Sequence, residues 1–161
     1  MIVVANAGPL IALAQIGQLD VLPALFGRIH IPTAVRHELI EHGDERPGVS
    51  EFKGARWLQI TTVRDQTAVQ LLQERLDPGE SAAIVLAIQM NADLLLIDEA
   101  RGRRVAEARG IRHSGAIGAL IAAKQNGLLP MVTPLFGQLI ERGFRMSEEL
   151  YRRACLLADE A

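Results

Sequence analysis

The sequence predicts an α/β fold built on a central, mostly parallel sheet. Short apolar runs alternate with longer segments of helical period, the pattern of βαβ units. The runs IVVA and LLLI lack polar alternation, as central strands covered on both faces require. Segment ends carry Pro and Gly punctuation at Pro32, Asp77-Pro78, Gly110, and Gly127 with Pro130 beyond it.

Strands are expected at residues 2–5, near 29–31, at 58–63, at 93–97 and near Ile111. Helices are expected at 9–25 with a break near Gly17, then at 32–42, 64–76, 78–91, 99–109 and 116–126. Two more follow at 134–141 and 147–158. The sheet therefore ends near Ser114, and a helical tail runs from about residue 128. The polar stretch HGDERPGVSEFKGARW reads as a loop holding one helical turn.

A chain of 161 residues, 49% hydrophobic and 22% charged, can fill one core and is read as a single domain over 1–161. Its formal net charge of -2 makes any anion binding a local property. Cys155, the single cysteine, lies in an apolar stretch and reads as a buried thiol. No basic leader precedes Ile2, and Asn6, Gln15 and Gln18 interrupt the first apolar segment. A cytoplasmic protein without a membrane span is expected.

In open parallel sheets, ligands collect beyond the carboxyl ends of the strands. Asn6, after IVVA, and Asp98, after LLLI, occupy two such ends and share one crevice if their strands are neighbours. In IPTAVRHELIEHG, Glu38 flanks the apolar stripe whereas Glu41 points away from it. In LDPGESAAIVLAIQ, Glu80 precedes Ile84 by four and Ala87 by seven, so it heads the face that continues into the core. Each residue also has a plainer reading. Glu80 completes a capping box with Asp77, Glu38 is solvated or paired with His42, and Asp98 and Asn6 cap the helices after them.

Convergence of several acids on one sheet edge favours the chemical reading. Clustered carboxylates raise one another's pKa, and a hard divalent cation, Mg²⁺ or Mn²⁺, relieves that repulsion through oxygen ligands. Such a centre suits phosphodiester hydrolysis. Just after Asp98, DEARGRRVAEARGIR places Arg101 and Arg104 on one helix side, where they can hold phosphates. Arg103 is assigned instead to i,i+4 pairs with Glu99 and Glu107.

Other chemistries fail on spacing. The four histidines and one cysteine make no zinc pattern, and G-x-x-x-x-G-K-[ST], G-x-G-x-x-G and G-x-S-x-G are all absent. Aromatics are 4% of residues, too few for base-stacking platforms. A response-regulator-like receiver needs acids after the first strand and a lysine near the last. Ala5-Asn6 and His113-Ser114 supply neither.

Taken in order, AGPLIALAQIGQLDVLPALFG, IPTAVRHELI, LDPGESAAIVLAI, LLLIDEARGRRVAEARG and LIERGFRMSEELYRRA resemble the PIN-domain family, close to the VapC-like toxin ribonucleases and an uncharacterised branch beside them. The resemblance covers nearly the whole chain. It implies a three-layer α/β/α fold and an RNA-cleaving site that uses Mg²⁺ or Mn²⁺. Glu38, Glu80 and Asp98 match the family's acids, and Glu99 is an auxiliary candidate. An antitoxin partner and a homodimer are implied as well.

The departure is Asn6, where PIN proteins usually carry Asp. An amide oxygen can ligate a cation or orient its water, but it brings no charge. One charge against a dication at about 4 Å is worth about 8 kcal/mol gross at an effective dielectric near 20, much of it offset by desolvation. Two functions follow as expectations. One is a metal-dependent endoribonuclease of the toxin type. The other is a degenerate PIN-like module that binds RNA or protein without cleaving.

Overall fold

The computed structural model describes residues 1–41 and 43–161, the Asp44 side chain excepted. The sheet has five parallel strands: β1 (Val3–Ala5), β2 (Ile29–Ile31), β3 (Leu58–Ile60), β4 (Leu94–Leu96) and β5 (His113–Ser114). Their order is β3-β2-β1-β4-β5, so the chain winds outward to β3, returns beside β1 as β4, and ends at β5. Strand order reverses between β1 and β4, the arrangement that places helices on both faces of a parallel sheet. β1 and β4, buried throughout, are the central strands, as their unbroken apolar runs require.

The helices are α1 (Ala7–Gln15), α2 (Val21–Phe26), α3 (Thr33–Ile40), α4 (Val49–Gly54), α5 (Gln66–Leu72), α6 (Pro78–Met90), α7 (Ala100–Ala108), α8 (Ala116–Gln125), α9 (Thr133–Glu141) and α10 (Glu148–Leu157). α6 packs with α5, α7, β1 and β4, while α8 packs with α1, α2 and α10. The result is a three-layer α/β/α fold. α3 starts at the carboxyl end of β2 and touches both α1 and α6.

The expected break in the first helix falls where Gly17, at φ +70°, closes α1 by donating to Ala14 O while Gln18 N reaches Leu13 O. Gly79 through Ala87 are all buried in α6. That helix ends at Asn91 in the left-handed conformation, with Ala92 N bonded to Ala87 O at 2.9 Å.

Two expectations need correction. The stretch read as a loop contains a 3₁₀ turn at Gly43–Glu45 and then α4, because Val49 and Phe52 lie one turn apart and are both buried. Arg36 Nη1 also donates to Phe52 O at 2.9 Å. The third strand stops at Ile60, short of the expected Val63.

The C-terminal helices join the core through Leu135, Phe136, Leu139, Ala154 and Cys155, and the Cys155 thiol is buried as expected. Glu160 secures this end. Its carboxylate accepts from Val132 N, Thr133 N and Thr133 Oγ1, and pairs with Lys124 at 2.9 Å. Among the described residues no helix is long and apolar enough to cross a membrane.

Candidate active site

The reversal of strand order puts the tips of β1 and β4 side by side. Asn6 donates its backbone N–H to Leu96 O at 2.8 Å, so the residues following the two strands open into one crevice. Asn6 occupies the N-cap position of α1 but makes no side-chain cap bond, which removes its plainer reading. The residue is 5% exposed, and its Oδ1 is buried without a hydrogen-bond partner. Such an orphaned acceptor costs about 1–3 kcal/mol and calls for an explanation at the site.

The explanation begins at Gly79, in the first turn of α6. A Cβ on Gly79 would collide with Glu38 Oε1 and lie 3.5 Å from Asn6 Oδ1. Glu38 therefore faces inward from α3, as its spacing predicts, and Glu41 is exposed. Arg46 Nη1 donates to Glu38 O at 3.0 Å. Burial pushes the Glu38 carboxyl up to about 7, helped by the charges of Asp77 and Glu41 and opposed by Arg46. His42, its alternative partner, lies outside the described residues.

Glu80 is 6% exposed. Only half of its capping box forms: Asp77 Oδ1 accepts from Glu80 N at 2.7 Å, with no return bond from Asp77 N to the Glu80 carboxylate. The Glu80 side chain reaches α7 instead, where a Cβ on Gly102 would lie 2.9 Å from its Oε2. Burial pushes this carboxyl up to about 8, reinforced by a hydrogen bond to Asp77 and by the charges of Asp77, Glu99 and Glu38.

Asp98 does not cap α7; Glu99 holds that position, without a side-chain bond. Asp98 instead accepts from Ala116 N, at 3.1 Å to Oδ1 and 3.4 Å to Oδ2, at the start of α8. Burial raises its pKa to about 6 despite that bond and the Arg103 charge, with Glu99 adding to the rise. Exposed Glu99 is thus felt by both Glu80 and Asp98.

Asn6 and Glu38 meet over Gly79, Glu80 lies in the same helical turn as Gly79, and Asp98 follows the adjacent strand. Each acid is turned to its own neighbour. Among the described residues no three His, Cys, Asp or Glu side chains already form a metal-holding group. Sharing one cation would require the carboxylates to swing toward the Asn6 amide oxygen. The donor set still suits a hard divalent ion, because its oxygens include one buried acceptor with no protein partner.

Arg101 lines a cleft of about 340 Å³ with Arg75, Asp77, Glu80 and Glu99. Arg101, Arg104 and Arg75 line a neighbouring cleft of about 450 Å³. Arg103 departs from expectation. Its Nε donates to His113 Nδ1 at 3.4 Å and its charge acts on Asp98, with no ion pair to Glu99 or Glu107 among the described residues.

Sequence reasoning missed Arg75, Arg46, the Asp77 carboxylate as a charge in the site, and Arg145. The last shares a cleft of about 690 Å³ with Gly8, Asp98, Glu99 and Phe144. No periodicity marks these residues, since only long-range packing brings them here.

No curated protein and no solved structure matches the chain. A family model described as a PIN domain matches residues 2–160. With that match and a parallel sheet whose candidate acids face its carboxyl edge, the chain belongs to the PIN-domain family, a fold of the nuclease type.

Proposed function

We propose that this protein is a metal-dependent endoribonuclease of the toxin type, hydrolysing RNA phosphodiesters at the crevice between β1 and β4. The observation that carries the reading is the buried, partnerless Asn6 Oδ1 facing Glu38 over Gly79, beside two further acids, Glu80 and Asp98. Asn6, Glu38, Glu80 and Asp98 would hold Mg²⁺ or Mn²⁺, with Glu99 auxiliary. When bound, the cation supplies Lewis acidity and a more acidic water. Asp98, which accepts from the Ala116 N–H, and Glu38, packed against Gly79, would swing toward the Asn6 amide oxygen to hold that cation, which in turn would meet the scissile phosphate. Arg101 and Arg104, joined by Arg75, hold flanking phosphates of the strand. The enzyme acts as one domain in the cytoplasm, as a homodimer restrained by an antitoxin.

The uncharged Asn6 and the lack of a ready carboxylate triad favour a second reading, a PIN-like module that binds RNA or protein without cleaving it. A time course of single-stranded RNA cleavage with Mg²⁺, Mn²⁺ or EDTA, run beside Asp98→Ala, separates the two. The nuclease reading expects metal-dependent cleavage that Asp98→Ala abolishes. Salt-sensitive RNA binding unaffected by EDTA, with no cleavage above the Asp98→Ala control, would replace it with the module.

A further inference from the structure

An endonuclease holds its strand on both sides of the bond that it cuts. Arg75, Arg101 and Arg104 line one flank of α7, and Arg103, on a different face of that helix, lines another beside Asp98. A strand that crosses Asp98 must meet this second flank as well.

The second flank is closed by the turn between α9 and α10, which the sequence ERGFR builds. Gly143, at φ +93°, donates its N–H to Ile140 O at 3.0 Å, and Phe144 N donates to Leu139 O at 3.0 Å, the paired bonds of a Schellman C-cap. Those bonds fix the backbone of Phe144 at the position whose apolar side chain covers the end of a helix. The residue packs on the core but is only half-buried. It lines both of the clefts that Asp98 and Arg145 share, one of about 690 Å³ and one of about 290 Å³. Part of an aromatic residue thus stays open beside the acid.

Charge on this flank is one-sided. Arg103, Arg145 and Arg153 line the smaller cleft with Asp98 as its one carboxylate. Arg145 and Arg153 are exposed, and neither forms an ion pair with a described residue. Surplus arginines around one aromatic suit a phosphate chain that carries bases, because guanidinium groups hold phosphates and any base can stack on an aromatic ring. An acidic peptide would match the arginines but not the aromatic. The larger cleft lies within the range of about 300–1,000 Å³ typical of small-ligand sites, enough for one nucleotide.

We infer that the turn between α9 and α10 seats a nucleotide of the RNA strand: Phe144 stacks on a base beside Asp98, and Arg145 and Arg153 hold phosphates on the opposite side of the scissile bond from Arg101 and Arg104. The inference rests on the proposed ribonuclease reading of that site. Helix closure and base stacking are two uses of one ring, and they separate chemically. Phe144→Leu keeps an apolar residue at the helix end and removes the π-face, whereas Phe144→Tyr keeps both.

The test is fluorescence anisotropy with the full chain, in EDTA and across salt concentrations, using two single-stranded probes of equal length. One is an adenine RNA and the other a ribose-phosphate chain without bases. Phe144→Leu is expected to weaken binding of the adenine RNA about tenfold and to leave that of the abasic chain within about twofold of wild type. Phe144→Tyr should match wild type on both probes. Arg145→Ala and Arg153→Ala are expected to weaken both probes and to reduce the salt slope by about 0.7 each. Thermal unfolding checks the fold of each variant, and Phe144→Met replaces Phe144→Leu if the leucine variant fails to fold. Adenine RNA bound equally by wild type and Phe144→Leu, or an equal loss on both probes, overturns the inference and leaves the nuclease reading, which stands on the acids, intact. Loss of a glutamate oligomer by Arg145→Ala with RNA binding unchanged also overturns it, because the flank would then belong to an acidic peptide. Wild type that binds neither probe overturns the RNA reading itself, and this inference with it.

Discussion

Replacing Glu80 by Gln should stabilise the cation-free protein. Glu80 is 6% exposed, and burial beside Asp77 lifts its pKa from 4.5 to about 8, so the folded state holds a proton that the unfolded state releases. A pH of 7 stands roughly 2.5 units above the unfolded carboxyl's midpoint, and at about 1.4 kcal/mol per unit the folded state forfeits on the order of 3 kcal/mol. Gln has nearly the same shape and can donate its amide to the Asp77 carboxylate. Burying that amide recovers less than the whole, so a net gain of about 1–2 kcal/mol is expected, or about 5 °C in Tm for a chain of this size.

The sign depends on pH. Because the folded pKa is raised, wild-type stability falls as pH rises from 4.5 toward 8, and the advantage of Glu80→Gln grows over the same window. Thermal and urea unfolding of both proteins at pH 4.5 and 7 reads this directly. A Glu80→Gln protein less stable than wild type at pH 7 would mean that the carboxylate is a net structural asset, and would refute the view that it is kept at a cost for function.

Apparent Mn²⁺ affinity should rise steeply between about pH 6 and 8, because cation binding must displace protons from Asp98, Glu38 and Glu80, whose values are about 6, 7 and 8. Titrations at several pH values check this, and a flat profile would separate these acids from the cation. Glu160 behaves oppositely. Its bonds to Thr133 and Lys124 hold it at about 2, so its stabilisation is full above pH 4.5 and lost as pH falls toward 2. Glu160→Gln should lower Tm by about 5 °C at pH 7 and by little near pH 2, as read by calorimetry. Arg75→Ala and Arg101→Ala should each weaken binding to single-stranded RNA and reduce the salt slope by about 0.7, measured by fluorescence anisotropy across salt concentrations.

Strand tips were the most legible part of this molecule. An apolar run that stops at a polar residue announces the carboxyl end of a buried parallel strand, and both Asn6 and Asp98 stand there. Glu80 could be read as inward because spacing of four and seven along a helix is a local property, and it proves buried. What each side chain touches was less legible. Asp98 reaches Ala116 N because β4 pairs with β5 and so brings the start of α8 alongside, which no local pattern encodes. Arg103 turns to His113 and not to its i,i+4 acids for the same reason, since α7 packs on β5. The loop with one helical turn expected over this stretch proves to hold a 3₁₀ turn and the short α4, whose extent was not legible because two apolar residues, Val49 and Phe52, are too few to set up a period, yet tertiary burial suffices to wind one short helix.

A divalent cation is proposed to bind in the crevice bordered by the Asn6 amide, Glu38, Glu80 and Asp98. Crystals of the wild-type protein soaked in Mn²⁺ and measured at the manganese absorption edge would test it most directly. The expected result is an anomalous peak within ligand distance of Asn6 Oδ1 and at least two of the three carboxylates. A peak elsewhere, or Mn²⁺ confined to surface acids with Asn6 Oδ1 still unpartnered, would contradict it.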